Sequence, residues 1–466
     1  MNLKKLEATK ITNLSLLTLV GMVLGAYSYF LWYLNGQLPV LWSDEWLYLI
    51  NTKAFYEWGT VQAAITYDGW GSTWFGADSH GPLYPIIHGG IAMLFSWNPA
   101  NFLWLNLLLF LLTALGYFCA NIPNRKEWIG LLLLHPLILF YSFSLMQEMI
   151  HVCGAMIASI LLIKLSERGK RSKFKIYFVF LAFLLVFSLF RSSWMIWGIA
   201  LLPFLPKRFP LISKLIGLLG LFVISLGIQL AVTESVPTHF ATVVEFLTSG
   251  ELAQAVKQVG IKFFKNLGAL MLYSEGKAYY LIKIGMLIQF AGLIYLYTKR
   301  KTKILQVGVL VFGTHLLLLL LFYEASGWIE LRILFAPGLL VSYLLFQELR
   351  RTIRWGMIGF QLLVFVGMLP NVNQAVYWRL EQKHRLKVLQ EEKIMSAINQ
   401  LPLKHDYWIK IEAALLEEID FDQLPLGTFE GSRIHYIAPF YTKNTKTPDV
   451  VIKSNPLRVS VNSITP

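Results

Sequence analysis

Charge is scarce in this chain. Only 15% of its 466 residues are Asp, Glu, Lys or Arg, against about a quarter in soluble domains. That leaves too little polar surface to coat a water-soluble globule. Cysteine is nearly absent. Cys119 and Cys153 both fall in apolar stretches, which excludes a disulfide framework and a cysteine metal cluster. No internal repeat or low-complexity linker is visible. Although the formal charge is +14, the basic residues sit between apolar runs rather than on a soluble face, which argues against nucleic-acid binding. Aromatic and apolar side chains are abundant: 15 Trp, 21 Tyr and 32 Phe, with 56% hydrophobic residues and a mean hydropathy of +0.55. So much burial potential excludes disorder. The composition is that of a polytopic membrane protein with a small polar tail.

A bilayer core needs about 20 apolar residues per helix. The first run, 11–34, is long enough, lacks the small-residue cleavage site of a signal peptide and is expected to stay as an anchor. Further spans are expected near 101–120, 128–144, 147–165, 175–190, 192–205, 211–232, 279–298, 304–322, 331–349 and 355–370, eleven in all. The pair between 175 and 205 is short, with Arg191 at its hinge. Orientation follows the Lys/Arg bias. Segments 1–10, 121–127, 164–175, 206–214, 299–303 and 350–354 hold 21 basic residues and are assigned inside, whereas loop 35–100 holds only Lys53. The alternation holds if the run 82–97 is an outer juxtamembrane or re-entrant helix. The expected architecture is therefore an all-α membrane domain over 1–370, with a functional first outer loop at 35–100. A small α/β extracytoplasmic domain follows over 371–466, in a multi-pass protein of the plasma (inner) membrane whose N-terminus is cytoplasmic.

The first outer loop carries the chemistry. Apolar groups at Trp46, Leu47, Ile50, Ala54, Phe55 and Trp58 have helical spacing, so 45–58 reads as an amphipathic helix lying flat at the interface with Asp44 at its start. Asp44 or Ser43 is an ordinary helix cap, and Glu45 favours the positive helix end. A carboxylate held at the membrane surface is also a general base for a water-side hydroxyl while a lipid-borne leaving group stays in the bilayer. His80 before the run 82–97, Arg191, and Arg332 at the start of a late span place cations on the same side. Each alone has a plain explanation, such as a snorkelling arginine, but ionisable residues at membrane depth are functional candidates by default. Glu148 adds an acid at the outer end of a span, placed to pair with Arg191 or to orient substrate.

These residues resemble the first-loop signature of the GT-C class of integral-membrane glycosyltransferases. Asp44-Glu45-x-x-Tyr48 with Gly59 downstream is similar to the branch of lipid A aminoarabinose transferases and protein O-mannosyltransferases. His80-Gly81-Pro82-Leu83-Tyr84 resembles that branch's Lys/His-Pro-Pro-Leu motif, with Gly81 in place of the first proline. Glu148 matches the position of a second acidic residue, and Arg191 and Arg332 match recurrent basic ones. The resemblance implies a polyprenyl-phosphate-linked sugar as donor and an inverting single displacement onto a glycan, lipid or protein hydroxyl. Asp44 would then be the base and Glu45 its support. His80, Arg191 and Arg332 would hold the donor phosphate, and Tyr48, Tyr84 and Glu148 would orient substrate.

No cofactor or metal is expected, because Asp44 and Glu45 are adjacent rather than the spaced Asp-x-Asp that suits a bridging divalent ion. Asp68, Asp78 and His80 remain a set that the fold brings together or does not. Two other classes compete. A lipid-linked glycan transporter would favour internal repeats and mid-membrane charges. An O-antigen-type polymerase or ligase would use a late outer loop such as 233–278, with His239, Lys257, Lys262 and Lys265. The plain reading of that loop is an amphipathic segment whose lysines favour lipid phosphates.

Overall fold

The computed structural model of the chain describes residues between 21 and 461. It leaves out 22, 36, 38–44, 67–80, 121, 168–169, 207–209, several positions within 211–226, then 228–238, 273–276, 324–331, 387–390, 403, 405, 413–425, 427–432, 438–447 and 454–457. Helices dominate. They are α1 (23–34), α2 (Glu45–Trp58), α3 (Leu83–Phe95), α4 (Asn101–Cys119), α5 (Arg125–Leu133), α6 (Pro136–Tyr141), α7 (Glu148–Glu167) and α8 (Lys170–Ser188), then a 3₁₀ helix over Ser192–Phe204. After them come α9 (His239–Thr248), α10 (Leu252–Met271), α11 (Lys277–Arg300), α12 (Lys303–Phe322), α13 (Arg332–Glu348), α14 (Arg351–Lys383) and α15 (Glu391–Ile398).

Among the described residues, five helices are long and apolar enough to cross a membrane: α4, α7, Tyr280–Arg300 of α11, α12 and α14. Of the other expected spans, 175–190 falls almost wholly within the 19-residue α8 and 331–349 in the 17-residue α13, 211–232 lies partly outside the described residues, and two depart from a full-length α-helix for local reasons. Run 128–144 is split between α5 and α6 at His135-Pro136. Proline lacks an N–H and disfavours helix at the preceding residue; accordingly His135 is extended (φ −71°, ψ 119°) and its ring accepts the Leu137 N–H at 3.3 Å to start α6. Run 192–205 winds as a 13-residue 3₁₀ helix. At about 2.0 Å per residue it reaches about 26 Å, where an α-helix of the same length would reach about 20 Å. Helix α3 has 13 residues, too few to cross as an α-helix, in keeping with the juxtamembrane placement of 82–97. Residues 11–20 lie outside the described part.

Ion pairs gather the helix ends. At one end Glu127 of α5 meets Arg354 (3.2 Å) and Arg351 (3.7 Å) of α14, and Arg300 of α11 pairs with Glu348 of α13. Three of the segments with basic clusters are thereby joined. Arg191 and the starts of α7 and α13 meet elsewhere, in the cluster described below.

The sheet has the order β1-β3-β2-β4-β5, with β1 Ile65–Thr66, β2 Asp406–Ile411, β3 Arg433–Ile437, β4 Val450–Lys453 and β5 Arg458–Val461. All neighbours are parallel except the β4–β5 pair. Its edge strand β1 comes from the first loop and pairs Ile65 with Tyr436 and Thr66 with Ile437. Helix α14 runs unbroken from Arg351 through position 371 to Lys383, so the membrane part and the tail share one rigid element.

Helix α2 occupies the predicted residues but not the predicted setting. Rather than lying flat with one wet face, it is buried on nearly every side. Tyr48 and Leu49 join the core of the helical bundle, whereas Leu47, Ile50 and Ala54 pack with Ile394, Ile398, Tyr407, Ile409 and Tyr436 in the core of the sheet. The helical period explains this: positions 47, 50 and 54 fall on one stripe and 48 with 49 beside it. Further ties hold α2 to the tail. Trp58 Nε1–H donates to the Leu426 carbonyl at 3.0 Å, Asn51 Oδ1 accepts the Ala64 N–H at 3.2 Å, and the Tyr436 N–H donates to the Ala64 carbonyl at 2.7 Å.

Candidate functional site

The candidate site is organised by the non-helical segment 142–147, where the chain turns from α6 into α7. Four elements hydrogen-bond to its backbone. The Leu145 N–H donates to Glu45 Oε1 at 2.7 Å. The Leu145 carbonyl accepts Tyr84 Oη–H at 2.8 Å. Asn106 Nδ2 donates to the Ser144 carbonyl and Arg379 Nη1 to the Phe143 carbonyl, each at 3.4 Å. A buried turn must satisfy its backbone groups somewhere, and here side chains of α2, α3, α4 and α14 do so.

Glu45 is 1% exposed and its second oxygen pairs with Arg379, itself 4% exposed. A carboxylate and a guanidinium buried together are tolerable because each neutralises the other; removing one partner costs about 3–5 kcal/mol. Tyr84 is wholly enclosed, stacked on His88 at 3.9 Å and near Tyr48 at 5.1 Å. Burial drives its phenol above its ordinary value. Asn106 opposes the shift, and Glu45 and Glu148 both add to it. Tyr84 therefore stays a neutral hydrogen-bond donor within electrostatic reach of both carboxylates.

Glu148, at the first turn of α7, lies between two arginines. Its Oε1 accepts from Arg191 Nη2 at 3.2 Å and stands 3.9 Å from Arg332 Nε. Arg332 also directs Nη1 at Met146 Sδ, 3.8 Å away. Burial opposes the charge on Arg191, as Arg332 does, but Glu148, with Tyr48 and Tyr323, outweighs them and raises its pKa. Arg191 stays a cation. Among the described residues Glu148 Oε2 has no hydrogen-bond partner, and neither polar atom of the fully buried Gln147 side chain has one. Such groups cost about 1–3 kcal/mol each when left unsatisfied. Arg191, Arg332, Glu148 and Gln147 form a buried polar cluster whose open carboxylate oxygen and amide suit hydrogen bonds to a polar ligand.

The contacts of Gly81 explain why glycine stands at this position. Its N–H donates to the Phe190 carbonyl at 2.8 Å, and the Leu83 N–H donates to the Leu189 carbonyl at 3.1 Å. A Cβ on Gly81 would lie 2.0 Å from the Leu189 oxygen. Proline there would lose the hydrogen bond and collide as well. The glycine thus seats the end of the first loop on the two residues that precede Arg191.

No protein-family model matches the chain. No curated protein matches it either. Among solved structures it is similar to an oligosaccharyltransferase of Archaeoglobus fulgidus in complex with Zn and sulfate, at 11% identity and a TM-score of 0.44, over 84% of this chain and 60% of that one. It is also similar to the archaeal oligosaccharyltransferase AglB of the same organism, in complex with an inhibitory peptide and a dolichol-phosphate, at 12% identity and a TM-score of 0.39, over 84% of this chain and 62% of that one. The chain thus spans about three fifths of the length of these structures.

Of the residues singled out in the sequence, the fold joins Glu148, Arg191 and Arg332 in one cluster. It sets Glu45, Tyr48 and Tyr84 next to it around the 142–147 turn. Asp44 and His80 lie outside the described residues, as do Asp68 and Asp78; Glu45 and Gly81 are their described chain neighbours. Three participants were missed. Arg379 sits in a stretch read only as a charged helix, yet it interrupts the apolar stripe Val372, Val376 and Leu380, all buried. Gln147 and Asn106 gave no signal, since a single amide in an apolar run has no distinctive spacing.

Proposed function

We propose that this chain is a membrane glycosyltransferase that moves a sugar from a polyprenyl-phosphate-linked donor to an acceptor hydroxyl at the outer face of the membrane. The observation that carries the reading is the buried Glu148–Arg191–Arg332 cluster with its unused Glu148 oxygen and Gln147 amide, fastened to both ends of the first loop through Glu45 and Gly81. The sequence likeness of that loop to GT-C transferases supports it.

In this proposal Asp44 accepts the proton of the acceptor hydroxyl as its oxygen attacks the anomeric carbon. The bond from that carbon to the phosphate oxygen breaks, and polyprenyl phosphate departs with one more negative charge than the esterified phosphate bore. Arg191 and Arg332, with His80, stabilise that charge as it develops. Removing one such stabiliser typically costs about 10²–10³ in rate. The Glu45–Arg379 pair holds the start of α2, and hence the residue before it, against the 142–147 turn. Tyr84, kept neutral, and Glu148 orient the sugar. The donor's lipid and the aqueous acceptor meet where bundle and sheet share α2.

The test supplies a polyprenyl-phosphate sugar and candidate acceptors to the purified protein in lipid nanodiscs, with the lipid product read by mass spectrometry. Release of polyprenyl phosphate is expected from the native chain, and Asp44→Asn should abolish it while donor binding persists. An intact donor in every trial, or full activity of Asp44→Asn, refutes the proposal.

A further inference from the structure

Helix α7 is hidden along almost its whole length. Between Glu148 and Leu165 only Ile157, Ile160, Leu161 and Lys164 are not buried. Ile157, Ile160 and Lys164 recur at helical spacing and line, together with α4, a cavity of about 580 Å³. From α4 the wall is Leu109, Leu112, Thr113, Gly116 and Ala120, again one stripe of the helical period. The groove exists because this stripe is thin. A Cβ on Gly116 would meet nothing within 4 Å, and Thr113 turns its Oγ1–H back to the Leu109 carbonyl at 2.7 Å.

Both helices are long and apolar enough to cross a membrane, so a groove on their outer surface faces hydrocarbon. On α4 it runs from Leu109 to Ala120, about 16 Å along the axis. That is close to one leaflet of a hydrocarbon core about 30 Å thick. Its level is set by α5. Arg125 Nη1 donates to the Phe118 carbonyl at the end of α4 (2.8 Å), and the same helix holds Glu127 against Arg354 of α14 (3.2 Å). The groove therefore extends from that end of the bundle toward mid-membrane. Among the described residues that line it, Lys164 alone is charged. Lys164 has no ion pair or side-chain hydrogen bond among the described residues, and Glu167, one turn on, is exposed and makes no ion pair with it.

We propose that the α4–α7 groove seats one phospholipid of the adjoining leaflet, with an acyl chain along Gly116 and Ile160 and the phosphate on Lys164. Two features select this occupant. The wall beyond Lys164 is almost wholly apolar for the depth of a leaflet, which fits a hydrocarbon chain. At the mouth stands a cation without a carboxylate, and a basic residue beside lipid phosphate gains roughly five-fold in local partitioning. A transmembrane helix in the same place would desolvate Lys164 without bringing it an anion. The lipid would bridge the two helices that carry Asn106 and Glu148 to the 142–147 turn. This inference rests on the membrane reading alone, and its failure leaves the transferase proposal untouched.

The test places the full chain in nanodiscs with phosphatidylglycerol that carries a diazirine in mid-chain. After illumination the labelled peptides are mapped by mass spectrometry. Label should concentrate on 109–120 and 157–164, above its level on the exposed faces of α11 and α14. Unlabelled phosphatidylglycerol should displace it roughly five-fold more effectively than diacylglycerol, which has the chains without the phosphate. Lys164→Gln should erase that difference. Gly116→Leu, whose side chain enters the groove, should clear the label from both stretches. The native chain with the two competitors gives the answer even if Gly116→Leu fails to fold. Equal labelling of all exposed spans, equal competition by the two lipids, or a second copy of the chain that keeps label off α4 and α7 would each overturn the proposal.

Discussion

The sharpest consequence of the fold is that Glu45 and Arg379, 334 residues apart in sequence, depend on each other. Both are almost completely enclosed, and Glu45 also accepts the Leu145 N–H at 2.7 Å. In Arg379→Met the carboxylate keeps that one hydrogen bond but loses its counter-charge in a site shut off from water. In Glu45→Gln the guanidinium keeps its bond to the Phe143 carbonyl but loses the Glu45 counter-charge. Each single change should cost about 3–5 kcal/mol, most of it the penalty for an uncompensated buried charge. The double variant Glu45→Gln/Arg379→Met strands no charge and should lose less than the sum, with a coupling of about 2–3 kcal/mol. Thermal unfolding of the four proteins in one detergent, followed by intrinsic tryptophan fluorescence, gives the ordering of midpoints. The double variant should unfold below either single one but above the midpoint that additive losses would give. Midpoints that fall additively would show that the two side chains do not meet, and the tie between the start of α2 and α14 would be lost with them.

Other outcomes follow from single contacts. Gly81→Ala must displace the Leu189 backbone, whose oxygen is 2.0 Å from the added Cβ; overpacking of this kind costs about 1–3 kcal/mol. It should lower both the melting point and donor turnover, and a native-like Gly81→Ala in both assays would deny the seat on Phe190. Arg191→Gln and Arg332→Gln should each reduce transfer by about 10²–10³ and also lower the melting point, because the buried Glu148 loses one of its counter-charges. Arg332→Gln is the milder for stability, since its nitrogen is 3.9 Å from Glu148 against 3.2 Å for Arg191; kcat and melting point measured together check this. Trp58→Phe removes the N–H donated to Leu426 at 3.0 Å. It should weaken the union of first loop and tail by about 0.5–1.5 kcal/mol, seen as faster limited proteolysis of the tail without loss of membrane insertion.

Much of this molecule was written in its local chemistry. Apolar run length and the scarcity of charge determined a helical membrane protein, and the 3.6-residue rhythm from Glu45 to Trp58 determined α2 to the residue. The acids and arginines that break the apolar runs pointed to Glu148, Arg191 and Arg332, because an ion in such a run needs a partner and few are on offer. Other features were decided only in three dimensions. His135-Pro136 marks a helix break in sequence, but whether one span survives it depends on what packs around it. A 3₁₀ rather than an α winding at Ser192–Phe204 has no periodic signature in a segment that is apolar throughout. Strand β1 is two residues long and means nothing until β3 lies beside it. The helical period assigned the apolar face of α2 to the membrane interface, but the sheet covers that face and the bundle takes Tyr48 and Leu49, since the free energy of burying Leu47, Ile50 and Ala54 is realised here against a partner surface 340 or more residues along the chain. Arg379 is the clearest case: a cation in the tail helix looks like any solvated lysine or arginine until the fold closes Glu45 over it, because desolvation is a property of the assembled core and not of the residue.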